Sequence, residues 1–156
     1  MKSLLSIKNL TVTVNATKIL DDVSLEIAPG KIVGIVGGSG SGKTTLGLSL
    51  LKLLPSAMQL RDGQIIFDGQ DIVTRTDAQM RKLRGAQIGM VFQEPLSAFD
   101  PLFTIGQQID EVLAAHTSLS KSERYRKVLD TLSEVELTDP QRAYKSFPHQ
   151  CIYSCP

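Results

Sequence analysis

Gly37-Gly38-Ser39-Gly40-Ser41-Gly42-Lys43-Thr44 is the stretch on which the fold turns, because it matches G-x-x-x-x-G-K-[ST] in full. Just upstream, Lys31 to Val36 (KIVGIV) is a short, nearly continuous β-branched run, the pattern of a strand covered on both faces. Just downstream, Thr44 to Leu54 (TTLGLSLLKLL) carries leucines on every side, which predicts a buried helix ended by Pro55. A flexible glycine-serine linker has no reason to end in Lys-Thr between such a strand and such a helix. Strand, loop and helix together predict a phosphate cradle. Glycines let successive backbone N–H groups converge on a triphosphate at the positive end of the helix dipole. Lys43 adds a mobile charge for the β and γ phosphates, and the Thr44 hydroxyl is a candidate Mg²⁺ ligand. With Thr45 beside it, Gly37 to Thr45 is the candidate ATP site.

Before the loop, Ile7, Leu10, Val12 and Val14 lead into Asn15-Ala16-Thr17, after which Val23, Leu25 and Ile27 alternate with polar residues. This predicts two strands of an antiparallel ribbon with one face buried. After the loop, Asp62-Gly63 and Asp68-Gly69 bracket QIIF as a short strand between tight turns. Asp77 to Arg84 reads as a brief polar helix, and Ile88 to Phe92 (IGMVF) as another short apolar strand. The period then changes. Ile105, Ile109, Val112 and Leu113 share one helical face behind Thr104 as cap, and Ser120 with Glu123 forms a capping box ahead of Tyr125, Val128, Leu129 and Leu132. The class is α/β, strand-rich to Phe92 and helical from Thr104.

Length and composition exclude more than they assign. The 156 residues suit one domain or part of a larger one, and a formal charge of +1 gives no reason to expect nucleic acid as partner. No run approaches the ~18 apolar residues of a membrane-spanning helix, and the N-terminal apolar stretch is too short for a signal peptide. Cys151 and Cys155 lack the second ligand pair that a zinc site needs. His116 reads as a helix-end residue and His149 as a loop residue.

A phosphate cradle does not name the reaction, since kinases, GTPases, recombinases and transport ATPases share it. Gln93 ends a strand beside what should be the same site, where its oxygen could meet Mg²⁺ or orient water; in isolation such a glutamine is more often a plain surface residue. The ribbon, GGSGSGKTT, GMVFQEPLSAFDPLFTIGQQI and DPQRAYKSFPHQ together closely resemble the ATP-binding subunits of ABC transporters, within them the importers for oligopeptides, dipeptides and nickel. The resemblance runs from Leu4 to Gln150 and implies a P-loop ATPase core whose phosphate loop is the Walker A motif. It makes Gln93 the Q-loop residue and, with Thr44, a Mg²⁺ ligand. It divides the chain into 1–92 (ATP-binding core with its β subdomain), 93–150 (Q-loop and helical subdomain) and 151–156 (a tail unlike the family). ATP and Mg²⁺ are the implied cofactors. The implied partners are transmembrane permease subunits and a second ATP-binding subunit, with the assembly on the cytoplasmic face of the membrane.

Two departures stand out. The ribbon stretch VTVNATKIL offers Val14 where the family usually has an aromatic residue for adenine, and Gly38 replaces a glutamate common in the subgroup. After Gln150 the family's signature, the strand ending in Asp-Glu and the switch histidine do not follow; His149 belongs to the element before the signature. The expectation is a chain that binds Mg-ATP without turnover, with uncovered apolar strands and a tendency to aggregate. A fragment left by a frameshift or early stop is the alternative.

Overall fold

The computed structural model of the chain describes residues 3–94 and 98–151. Part of the FQEPLSAFDP stretch, Pro95 to Ser97, and residues 152–156 of the tail, including Cys155, lie outside the described residues. The chain divides into two compact units, Met1–Ile88 and Gly89–Pro156, where the sequence reading placed the change at 92/93.

The first unit is built on a four-stranded antiparallel sheet of order β2-β1-β3-β4. β1 (Leu5–Val14) and β2 (Thr17–Ile27) form the expected ribbon, closed at Asn15, whose φ of 53° is one that asparagine tolerates better than most residues. β3 (Met58–Phe67) pairs with the other edge of β1. It is longer than the QIIF strand predicted, because Asp62-Gly63 does not end the strand. Gly63 lies inside it, at φ 102°, next to a register shift between Lys8 and Thr11 of β1. A Cβ there would stand 2.6 Å from Leu10 Cα and 2.7 Å from the Lys8 and Asn9 carbonyls, so only glycine lets the strands meet at this bulge. The Asp68-Gly69 turn does lead into β4 (Gln70–Asp71).

Alternation, reset by the irregularity between Ile7 and Leu10, puts Ile7, Leu10, Val12 and Ile65 on one face, and with Ile72, Met80, Leu83 and Leu46 they form the core of this unit. Met80 and Leu83 come from α2 (Asp77–Leu83), the brief helix expected, which Thr76 and Gln79 close with a capping box. Leu46 comes from α1 (Lys43–Leu50), shorter and less enclosed than predicted. The helix ends four residues early, because Lys52 turns to φ 50° and the Leu53 N–H returns to the Leu48 carbonyl. Leu51 is buried while Leu53 is exposed.

The two predicted apolar strands are not strands in the structure. Residues 31–36 pair with no described strand, and Ile32 and Val36 are 102% and 95% exposed. Ile88 makes only an isolated bridge to Arg84, and Val91 is 91% exposed. An apolar run shows that a segment can be a strand, but a strand needs neighbours to take its N–H and C=O groups and cover its faces. The ladders of the described sheet are formed by β1 to β4, and neither run joins them.

The second unit is helical: α3 (Ile105–His116), α4 (Lys121–Glu134), α5 (Pro140–Lys145) and α6 (Pro148–Cys151). Thr104 and Ser120 cap α3 and α4 as expected, each within a full capping box. Val128 and Leu132 of α4 and Ala143 of α5 form a small core, with Ile105, Ile109, Leu113 and Tyr144 packed against it. Gly106 lets α3 approach α5 closely, since a Cβ there would overlap the Tyr144 ring. Arg124 ties α4 to α3 by donating through Nε (2.7 Å) and an Nη (3.2 Å) to the two Asp110 carboxylate oxygens, which holds that carboxyl below its ordinary value.

Candidate nucleotide-binding site

The loop Gly37 to Gly42 feeds directly into α1, and its residue types are required by its shape. Gly40 and Gly42 stand at φ 76° and 87°, the left-handed region that glycine enters without strain. Gly42 is also buried against β2: a Cβ would lie 2.6 Å from Leu20 Cδ2 and 3.0 Å from the Ile19 carbonyl oxygen. That contact fixes the start of α1 to the ribbon. A Cβ on Gly37 would meet Ser41 Oγ at 2.6 Å and reach within 4.0 Å of Lys43 Nζ, so bare backbone keeps the interior of the loop open to the lysine. Gly38 has open space where its Cβ would stand, so the departure from glutamate there is sterically neutral.

Lys43 folds back over the loop. Its ammonium donates to the carbonyls of Gly37 (2.8 Å) and Gly38 (2.7 Å) and to Ser41 Oγ (3.2 Å). The cation is thereby held against the loop backbone rather than extended away from it. Gly42 is the N-cap of α1, so no side chain caps the helix and no acid stands in its first turn. The first-turn N–H groups and the positive end of the helix dipole therefore meet no competing side-chain carboxylate, an arrangement suited to an anion. Thr44 is exposed at this end, whereas Thr45 is buried. Ser39 and Ser41 are exposed on the loop.

Gln93 is exposed and belongs to the second unit, as does Glu94. The candidate residues from Gly37 to Thr45 are thus brought together within the first unit, and Gln93 stands outside it. His116 ends α3, as expected of a helix-end residue. His149 is in α6 rather than a loop, stacked on Phe147 with ring centroids 5.9 Å apart. Among the described residues no cluster of histidine, cysteine, aspartate and glutamate could hold a metal ion. What the sequence reading missed is the seat of the loop, Leu20 and the Ile19 carbonyl, because a contact across more than twenty positions leaves no local signal.

An antiparallel ribbon, a glycine-rich loop opening a helix and a separate helical unit define a P-loop α/β cassette. Among solved structures, a dimeric bacterial ABC transporter cassette matches 94% of this chain and 62% of its own length, with TM-score 0.78 and 28% identity. The same cassette in a post-hydrolysis state bound to ADP and Pi matches with TM-score 0.79 over the same shares of the two chains. The chain belongs to the ABC transporter family, whose profile covers residues 20–150.

Named relatives share a third or more of their aligned residues with it. The peptidoglycan transport ATP-binding protein YejF of Agrobacterium fabrum is 40% identical over 152 residues, 94% of this chain and 28% of that protein. The dipeptide transport ATP-binding protein DppD of Bacillus subtilis is 38% identical over 96% of this chain and 46% of its own length. The metal-staphylopine import system ATP-binding protein CntD of Staphylococcus aureus is 36% identical over 94% of this chain and 55% of its own. The chain therefore spans between about a quarter and just over half of the length of these relatives. No described helix is long and apolar enough to cross a membrane.

Proposed function

We propose that this chain is the nucleotide-binding part of an ABC importer of the peptide type and that Gly37 to Thr45 holds the phosphates of ATP. The observation that carries the reading is the seating of Lys43 on the Gly37 and Gly38 carbonyls, over a loop that enters an uncapped helix. A triphosphate in this loop would accept from successive backbone N–H groups and from the Lys43 ammonium, a charge-assisted bond roughly twice as strong as a neutral one. The loop serins and Thr44 supply hydroxyls at its open side, and Thr44 fits a Mg²⁺ ligand in being exposed beside the lysine. Bound Mg²⁺ would neutralise charge on the phosphate oxygens. Gln93 is the proposed second ligand, contributed by the Q-loop.

The name of the dipeptide transport relative favours peptide-type cargo, and the metal-staphylopine import relative keeps a metal as the second candidate. The proposed partners are membrane permease subunits and a second ATP-binding subunit, which would place the chain on the cytoplasmic face of the membrane.

The test is equilibrium binding of a fluorescent ATP analogue in Mg²⁺. Lys43→Ala is expected to weaken binding by at least tenfold with an unchanged circular dichroism spectrum, the loss of one charged hydrogen-bond donor being ~1.5–3 kcal/mol. Equal affinity of the variant and the parent chain would overturn the reading.

A further inference from the structure

The turn that follows α1, at the end opposite the phosphate loop, is held by two cations. Arg84 Nε donates to the Leu51 carbonyl at 2.7 Å, and an Nη of the same guanidinium donates to the Lys52 carbonyl at 3.2 Å. Lys52 in turn donates from its ammonium to the carbonyls of Val73 (3.0 Å) and Arg75 (2.7 Å). Arg84 itself does not swing free, because its N–H closes α2 on the Met80 carbonyl and its backbone bridges to Ile88. The 73–75 segment is likewise fixed, by the Ile72 N–H on Ile65 and the Arg75 N–H on Ile72. Arg84 thus holds the C-cap carbonyl of an eight-residue helix and the carbonyl after it, while the Lys52 side chain ties the same turn to the 73–75 segment. Among the described residues no carboxylate forms an ion pair with either cation, and the Arg84 guanidinium stands on the C-cap carbonyl, at the negative end of the helix dipole.

We propose that Arg84 and Lys52 are positioning residues for the phosphate loop, acting through α1. Besides its buried residues Thr45, Leu46 and Ser49, the helix is anchored by Gly42 against Leu20 and Ile19 at the loop end and by this clasp on the turn after its other end. A short helix gripped at one end can tilt about that end. Tilting moves the first-turn N–H groups and Lys43 away from the phosphate oxygens, and charge-assisted bonds weaken steeply with misalignment. The clasp removes that freedom before a ligand arrives, so less of the interaction is spent on ordering the loop. The inference rests on the reading of Gly37 to Thr45 as a triphosphate site.

ATP affinity with Mg²⁺ and the ligand-free thermal midpoint separate positioning from mere stabilisation, measured on the whole chain for Arg84→Met, Arg84→Lys, Lys52→Met and Lys43→Ala. Arg84→Met and Lys52→Met are expected to raise Kd about threefold to tenfold at temperatures well below their midpoints. Arg84→Lys, which keeps the charge and loses the fork, is expected to fall between Arg84→Met and the parent chain. Lys52 is exposed, so Lys52→Met keeps the test valid if Arg84→Met fails to fold. A lowered midpoint with unchanged Kd in Lys52→Met overturns the clasp while leaving the ATP site intact. Unchanged Kd in Lys43→Ala overturns the ATP site itself.

Discussion

Two glycines four positions apart show how differently one residue type can matter. Gly42 has a positive φ and the ribbon pressed against its Cα, whereas Gly38 has neither. Gly42→Ala is expected to cost about 2 kcal/mol, through left-handed strain and overlap with Leu20, and to abolish ATP binding by displacing the start of α1. Gly38→Ala is expected to stay within about 0.5 kcal/mol of the parent chain. Urea unfolding of the two variants checks the pair, and equal losses would show that the loop is not shaped by its contact with β2. The sequence pattern marked both glycines alike, as members of one motif. It was enough to find the loop, because the loop's chemistry is contiguous from Gly37 to Thr45. It could not rank the glycines, because what distinguishes them is a neighbour more than twenty residues away. Gln93 is the same problem at longer range: its role depends on another segment, and nothing in its own surroundings assigns it.

At the scale of the element, the legible pieces are those that carry their own instructions. α3 and α4 announce themselves through Thr104 and Ser120 and through apolar residues on one face, and both form as read. Ser120→Ala should therefore lower the stability of the second unit by about 1 kcal/mol, as loss of an N-cap does, with thermal unfolding as the measure. The α3–α4 tie is testable by pH. Arg124 depresses the Asp110 carboxyl below its ordinary value of 3.8, chiefly by hydrogen bonding to it. A carboxylate depressed in the folded state stabilises the fold above its unfolded pKa, and that contribution fades as pH falls through the folded value. The parent chain should thus lose stability on acidification below about pH 4, and Asp110→Asn should lose less over the same interval. Identical acid profiles would mean that the pair contributes nothing. β3 marks the limit of local reading, since Asp62-Gly63 has the composition of a turn and the role of a bulge. Whether such a dipeptide ends a strand or continues it is decided by the facing strand, here the Lys8 to Leu10 backbone.

At the scale of the molecule, the misread segments share one cause. KIVGIV and IGMVF have strand composition, yet burial belongs to a residue's surroundings, and the described sheet is built from β1 to β4 without them. As a result Ile32 and Val36 of the first unit, and separately Val91 of the second, are almost fully exposed. Six residues rich in isoleucine and valine, with one charge and no proline, form a stretch whose unpaired backbone can dock on another strand edge. The 156-residue chain by itself is therefore expected to self-associate at micromolar concentration. Ile32→Lys should suppress this, because it places charge on the edge at a position too exposed to matter to the fold. Sedimentation velocity across a tenfold concentration range distinguishes the cases. A single monomeric boundary for the parent chain would show that the exposed run is harmless. Association that persists in Ile32→Lys and falls in Val91→Lys would shift the responsibility from the segment before the phosphate loop to the one before Gln93.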